Sequence, residues 1–396
     1  MSGARQRARV LVAMSGGVDS AAAATLLLQD GYDVSGVTMR LLDAEQDADI
    51  EDARAMCARL GIAHRVVDLR DRFKEQVVDA FCAAYLRGDT PNPCVTCNKH
   101  IKFAALHEVR REAGFDYLAT GHYARRSFDE ETGRWQLLRA RDASKDQSYF
   151  LFNITQDQLA HTLFPLGVGT KDEVRALARD AGLRAAEKPE SQDICFVPHG
   201  DYAAFIARMV DMGSGAAEVR DSAAGDASGA AEGIAESAVG AAEGDVGGVP
   251  HAHAAFEPGP IVDRAGIVRG EHPGLIHFTA GQRKGIGVAA SEPLYVLEKR
   301  MDTRELVVGT ACEARCGGVI AADANVVSVL PWQGSRPVQV KTHYRQQSQP
   351  ATAELAGNTL RVAFATPQRV CAPGQAAAIY DGDVLLAGGS MTTCLP

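Results

Sequence analysis

The sequence predicts an α/β fold: a doubly wound parallel sheet, then a small β-rich central domain, then a C-terminal antiparallel β-barrel. Three observations carry this. Short apolar runs alternate with helical runs through the first half of the chain. Closely spaced β-rich runs between Gly and Pro turns fill the last third. An acidic, alanine- and glycine-rich stretch, Gly213 to Pro250, separates the two patterns. Strand–helix alternation implies parallel pairing with helices on both faces. Short strands at close spacing imply barrels or sandwiches.

The elements follow in order. Arg9 to Met14 is a short apolar run suited to a buried parallel strand. A helix is expected over Ala21 to Gln29, a strand over Val34 to Arg40 and a helix over Asp52 to Leu60. Strands follow at His64 to Leu69 and Asp116 to Thr120, with a helix from about His100 to Glu112 between them. After the acidic stretch, β-runs are expected at Pro293 to Lys299, Glu305 to Gly309, Ala324 to Leu330, Pro337 to Thr342, Thr359 to Phe364 and Ala376 to Tyr380. A chain of 396 residues exceeds what one core sustains. The expected division is an α/β domain at 1–204, a central domain at 205–310 and a barrel at 311–396.

Composition excludes several classes. Hydrophobic residues make up 46% and charged residues 23%, a globular mix and not a disordered or collagen-like one. No apolar run reaches the roughly 18 residues of a membrane span, and Val10 to Met14 is too short for a signal-peptide core. A cytoplasmic protein with no membrane partner is expected. Nine cysteines without an export signal point to free, catalytic or metal-bound thiols, not to a disulfide scaffold. The net charge is −9, but Gly213 to Pro250 holds seven acids and one base, which is −6, so the rest carries −3. A nearly balanced surface accommodates a local basic patch. The acidic stretch has no aromatic residue and is read as a disordered insertion.

The first chemical motif is Ser15-Gly16-Gly17-Val18-Asp19-Ser20, between the first strand and the first helix. Backbone N–H groups and the positive helix end form an anion site there, and glycines let the backbone approach phosphate oxygens. Asp19 suits Mg²⁺ bridging to a phosphate. The string lacks the Gly-Lys-Ser/Thr of a Walker loop and is not a GxGxxG. It resembles the SGGxDS pyrophosphate loop of the PP-loop ATP pyrophosphatases. That resemblance implies ATP cleavage to AMP and pyrophosphate, with Ala13, Met14, Ser15, Gly16, Gly17, Val18, Asp19 and Ser20 around the phosphates. It also places Met39 near the adenine and Gly121 in the nucleotide pocket.

Two cysteine motifs follow. In Pro91-Asn92-Pro93-Cys94-Val95-Thr96-Cys97-Asn98-Lys99, Cys97 lies near an expected helix start and beside Lys99, both of which lower a thiol pKa. In Glu187 to Phe196, Cys195 is flanked by apolar residues. A redox CxxC, a zinc site borrowing Cys312 and Cys316, and thiol chemistry shared by Cys97 and Cys195 all compete. Gly-rich surroundings suggest that Cys312 and Cys316 are surface thiols.

The glycine loop, PNPxxxCNxxIKF (Pro91 to Phe103), ATGHYA (Ala119 to Ala124), KDQSYFL (Lys145 to Leu151), ESQDICF (Glu190 to Phe196) and TAGQRKGIG (Thr279 to Gly287) occur in one order. Together they closely resemble the tRNA-specific 2-thiouridylases, over nearly the whole chain outside the acidic insertion. The resemblance implies ATP-dependent 2-thiolation of the wobble uridine, with ATP and its Mg²⁺ and no permanently bound cofactor. It implies tRNA and a persulfide donor or carrier protein as partners. Cys195 matches the persulfide-bearing cysteine and Cys97 the other catalytic cysteine. Either Cys97 releases sulfur from that persulfide, leaving a Cys97–Cys195 disulfide, or the terminal persulfide sulfur attacks C2 directly. Many members have aspartate where this chain has Cys94, which keeps open a cluster or zinc variant on Cys94, Cys97 and Cys195. It ranks below the metal-free route because no fourth ligand is evident. By the same resemblance Asn92, Pro93 and Cys94 meet the flipped base, and His122, Lys145, Asp146 and Gln147 line its channel. His343, Tyr344 and Gln375 are expected tRNA contacts in the barrel. There, Pro331 to Gln375 holds five bases against one acid, a local +4 suited to a phosphate backbone.

Overall fold

The computed structural model describes residues 7–182, 194–211 and 254–396. The expected disordered insertion at 213–250 and the Glu187 to Asp193 part of the second cysteine motif lie outside the described residues.

β1 (Arg9–Ala13) is apolar on both faces, which suits the centre of a parallel sheet. It pairs in parallel with β2 (Asp33–Arg40) and β4 (Tyr117–Ala119). β3 (Ala63–Asp68) and β7 (Thr162–Leu163) complete the order β3-β2-β1-β4-β7. Val10 and Val12 pack with α1 (Val18–Gln29) and α2 (Asp47–Leu60), while Leu11 packs on the other face with Leu106 and Phe115. Both faces are therefore covered, and the doubly wound sheet expected from the alternation is present.

α3 spans 70–86 and α4 spans 93–112. Each includes a π-helical stretch, Lys74–Asp79 and Asn98–Ala105. The helix expected from about His100 thus begins at Pro93. Proline in a first helical turn forfeits no intrahelical bond, and extended Asn92 precedes it. α4 packs toward two cores. Val95 and Phe103 join Leu137, Tyr149, Phe152 and Tyr380. Cys97 and Ile101 join Phe73, Phe81, Phe196 and Ile206. α5 (Gln156–Ala160) and α6 (Lys171–Asp180) carry capping boxes on Thr155 and Thr170, and α7 spans 202–211.

The sequence reading missed a hairpin, β5 (Ala124–Asp129) and β6 (Arg134–Arg139). Its four arginines mask the strand alternation. The hairpin leaves the parallel-sheet half and pairs with the C-terminal sheet, Leu138 opposite Val384 and Leu137 opposite Leu385.

The central sheet has the order β10-β11-β8-β9, from β8 (Gly259–Val262), β9 (Val268–His272), β10 (Tyr295–Arg300) and β11 (Glu305–Gly309). The C-terminal barrel comprises β12 (Arg315–Val326), β13 (Ser335–Lys341), β14 (Gln349–Ala356), β15 (Thr359–Arg369), β16 (Ala376–Asp381) and β17 (Val384–Leu395). It runs β12-β15-β14-β13-β16-β17 and closes by β12–β17 pairing. The strand expected over Ala324 to Leu330 lies earlier and is longer. Its Gly- and Ala-rich segment has weak β propensity, and pairing with two neighbours overrides it. Cys312 is exposed, but Cys316 is 4% exposed and belongs to the barrel core, so it is not the surface thiol expected.

Leu137 is fully buried where the hairpin meets the barrel. Leu137→Ala is expected to lower the unfolding free energy by about 3 kcal/mol, measured by urea denaturation.

Candidate functional site

The glycine loop leaves β1 and enters α1. It is pinned from below: Met14 N–H donates to the Val37 carbonyl at 2.8 Å, and the Thr38 hydroxyl donates to the Met14 carbonyl at 2.9 Å. Ser20 ties the loop shut, donating to the Gly17 carbonyl at 3.0 Å and accepting from Ser15 N–H at 3.2 Å. Gly16 has φ +75, and a Cβ there would sit 2.6 Å from the Asp49 carbonyl oxygen, so glycine is required twice over. A Cβ on Gly121 would meet the Asp19–Ser20 backbone at 3.0 Å, so this position backs the loop. No side chain caps α1, which leaves its first N–H groups for an anion.

Asp19 is engaged. Lys171 Nζ lies 2.7 and 2.9 Å from its two carboxylate oxygens, and the Tyr123 hydroxyl donates to it at 3.0 Å. A cation placed on this carboxylate must compete with the ammonium. An Mg²⁺ arriving with ATP would share or displace this contact, since the Asp19 side chain is one-third exposed and lines the cleft. Lys171 is 5% exposed and is the first residue of α6. The sequence reading missed it, although a signal existed: lysine directly after the Thr170 cap opposes the helix dipole and needs a compensating partner.

The loop opens into one cleft of about 1630 Å³. Met14 to Asp19 and Met39 line one part of it, and Cys94, Lys102 and Cys195 another. Lys145, Asp146, Gln147 and Tyr344 also line it. Among the described residues, eight cationic side chains against five acidic ones face this space, which favours a polyanion. Lys102 lies inside the first cysteine motif, yet the sequence reading assigned it no role.

Not every expected residue reaches the cleft. Asp146 is 4% exposed, and its carboxylate accepts from Ala140 N–H and Ser148 N–H at 3.1 Å and from the Ser148 hydroxyl at 3.0 Å. Gln147 accepts from Tyr123 N–H at 2.9 Å. Both hold the wall as well as lining it. Tyr344 packs on Phe150 with ring centroids 4.5 Å apart, whereas His343 is exposed outside the cleft lining. Asn92 lines a second groove of about 330 Å³. Gln375 donates to the Thr90 carbonyl at 2.7 Å, so it secures the segment before Asn92. Pro93 is buried, and Ala13, Ser20 and Gly121 stand behind the loop.

Cys94 is exposed, Cys195 is exposed, and Cys97 is buried in the same core as Phe196. Phe196 stands edge-on to Phe73 at 5.6 Å and to Phe81 at 5.3 Å, which anchors the Cys195 segment beside α4. The charges of Cys94, Cys195 and Lys102 all act on Cys97. Burial nevertheless dominates and pushes the Cys97 thiol up to about 12, Lys102 opposing. The activated thiolate expected from the helix start and Lys99 is therefore not what this environment makes. Desolvation of its sulfur, and next the charge of Cys94, also raise Cys195, again against Lys102. His122 bonds through Nδ1 to the Thr120 hydroxyl at 2.9 Å. Its burial, with Lys102 near, holds it well below the ordinary histidine value and therefore neutral.

Three family models match the chain in order. They are described as a tRNA methyl transferase HUP domain (residues 8–199), a tRNA methyl transferase PRC-barrel domain (251–310) and an aminomethyltransferase beta-barrel domain (317–391). A tRNA-specific 2-thiouridylase MnmA of Carboxydothermus hydrogenoformans is 40% identical over 97% of this chain and 98% of its own. One of Moorella thermoacetica is 41% identical over 96% and 98%. Among solved structures, NMN synthetase from Francisella tularensis aligns at TM-score 0.31 and 18% identity, over 47% of this chain and 67% of that one.

Cys97 should alkylate with iodoacetamide at pH 8 about a thousandfold more slowly than an ordinary thiol, its rate rising with pH toward 12. Lys102→Met removes the opposing charge and should slow both Cys97 and Cys195, read by peptide mass spectrometry.

Proposed function

The chain belongs to the family of tRNA-specific 2-thiouridylases, which are tRNA sulfurtransferases, and on that premise we propose that it thiolates C2 of the wobble uridine in tRNA. ATP is the activating co-substrate, and a persulfide on Cys195 is the sulfur source. The observation that carries this reading is the single cleft, in which the glycine loop and the exposed Cys94 and Cys195 share one space above buried Cys97.

The chemistry has a clear order. A uracil carbonyl oxygen is a poor leaving group. Attack of that oxygen on the α-phosphorus of ATP expels pyrophosphate and turns it into AMP, a good one. The loop N–H groups and the end of α1 hold the phosphates, with Met39 toward the adenine. Lys171 holds the Asp19 carboxylate and adds positive charge where the pyrophosphate develops. Mg²⁺ travels with ATP on phosphate and water oxygens. The target base must leave its stack to enter, and Tyr344 offers a ring face to a neighbouring base. Cations of the cleft and the local +4 of the barrel segment meet the backbone.

The terminal sulfur of the Cys195 persulfide then attacks C2, and AMP leaves. Cys97 sulfur attacks Cys195 sulfur, the bond from Cys195 to the transferred sulfur breaks, and that sulfur stays on C2. A Cys97–Cys195 disulfide remains, for reduction by an external thiol. The buried Cys97 thiol holds its proton at neutral pH, so its attack on Cys195 must hand that proton on, and the thiouracil anion released from Cys195 accepts it at N3. An exposed Cys195 suits loading by a persulfide carrier protein. The division into 1–204, 205–310 and 311–396 then reads as catalysis, a central connector and tRNA binding, in a cytoplasmic enzyme.

The test is mass spectrometry of nucleosides from unmodified tRNA incubated with protein, ATP, Mg²⁺ and a persulfide donor. 2-Thiouridine should form with wild type and vanish with Cys97→Ser and with Cys195→Ser. Persistence in either variant sinks the cysteine assignment. Lys171→Met should reduce tRNA-dependent AMP formation about a hundredfold.

A further inference from the structure

Cys316, Cys371 and Cys394 arrive from three separate places in the barrel. Cys316 opens β12, Cys371 lies in the loop between β15 and β16, and Cys394 is near the end of β17. Their sulfur atoms all lie within 4.8 Å of one another. Cys316 and Cys371 are 4% and 3% exposed, and Cys394 is half-buried beside them. Cys371 N–H points at the Cys394 sulfur at 3.2 Å. The sulfurs of Cys316 and Cys371 both lean on the Arg369 carbonyl oxygen, at 3.8 and 3.5 Å.

A single buried thiol packs as a small apolar side chain, but three sulfurs converging from separate segments match a metal's ligand set, and a disulfide would use only two of them. We propose that these three cysteines bind a thiophilic d¹⁰ cation, Zn²⁺ first, at a site separate from the catalytic cleft. Zn–S bonds of about 2.3 Å place tetrahedral thiolates about 3.8 Å apart, so each sulfur need move by less than about 1 Å. No histidine or carboxylate joins the set among the described residues. The fourth position falls to water or to the Arg369 carbonyl oxygen. Binding releases three thiol protons and leaves a complex with one net negative charge, toward which the Cys371 N–H already points.

The site staples the two strands that close the barrel to the loop after β15. That loop reaches the catalytic half: Thr90 N–H donates to the Pro373 carbonyl at 2.8 Å, and Gln375 holds the Thr90 carbonyl. Thr90 leads directly to the segment that begins α4. The role is structural, fastening the barrel wall against which the cysteine motif is held.

The test uses the full chain, purified under reducing conditions from zinc-supplemented cells, with metal per chain measured by plasma mass spectrometry. The wild type and the triple variant Cys94→Ser, Cys97→Ser, Cys195→Ser should both hold about one equivalent of zinc. Cys316→Ser, Cys371→Ser and Cys394→Ser should each lose it about tenfold or more. Metal that follows the catalytic cysteines, or no metal in the wild type, overturns the proposal. So does a disulfide within the set when protein prepared without reductant, its free thiols blocked at lysis, is mapped under non-reducing conditions. Should the barrel variants fail to fold, the wild type stripped by chelator decides. Added Zn²⁺ should protect the peptides carrying Cys316, Cys371 and Cys394 from alkylation; protection of other cysteines alone overturns it.

Discussion

The cleft is built around one helix held between two cores. α4 puts Val95 and Phe103 against the hairpin and barrel, and Cys97 and Ile101 against α3 and Phe196. Neither core belongs to one segment of the chain, so fixing α4 fixes the distance from the glycine loop to the thiols. Its π-helical stretch brings positions five apart toward one face. Cys97 and Lys102 are such a pair, and their charges act on each other. The cost of this rigidity is acidity. A thiol sunk in an aromatic cluster keeps its proton, so its value lies in position and not in nucleophilic readiness.

The glycine loop depends on a second restraint, the Lys171–Asp19 pair. A buried ion pair recovers little of its desolvation unless its remaining bonds are met. Here the ammonium meets both carboxylate oxygens and the Tyr123 hydroxyl adds a third contact. Lysine at a helix N-terminus is unfavourable by itself, and the Thr170–Glu173 capping box offsets part of that. The pair joins α6, far along the chain, to the start of α1.

What was legible in the sequence follows range. The glycine loop was readable because strand, turn and helix start lie within a dozen residues. The parallel sheet was readable because each strand carries its own apolar run. Lys171 was not, because its partner is 152 positions away. The hairpin was hidden because Arg125, Arg126, Arg134 and Arg139 break its alternation, and Leu137 is buried only by the barrel. The start of β12 was missed because Gly317 and Gly318 oppose strand propensity and only its partners impose it. Cys97 was misjudged for a related reason. Its neighbours in sequence predicted a thiolate, while its neighbours in space, Phe81 and Phe196, decide otherwise. The convergence of Cys316, Cys371 and Cys394 is likewise a property of barrel closure, invisible in their spacing.

The hairpin also sets a timetable. Arg139 bonds to the Gly382 carbonyl 243 positions later. At ordinary synthesis rates of about 5–20 residues per second, that partner emerges from the ribosome roughly 12–50 s after the hairpin does. The parallel-sheet half must spend that interval with an unpaired strand edge, which is a template for pairing with other chains. The edge that waits, β6, carries Arg134 and Arg139 at its two ends and no acid, and edge charges of one sign are a general means of discouraging strand-to-strand pairing between chains.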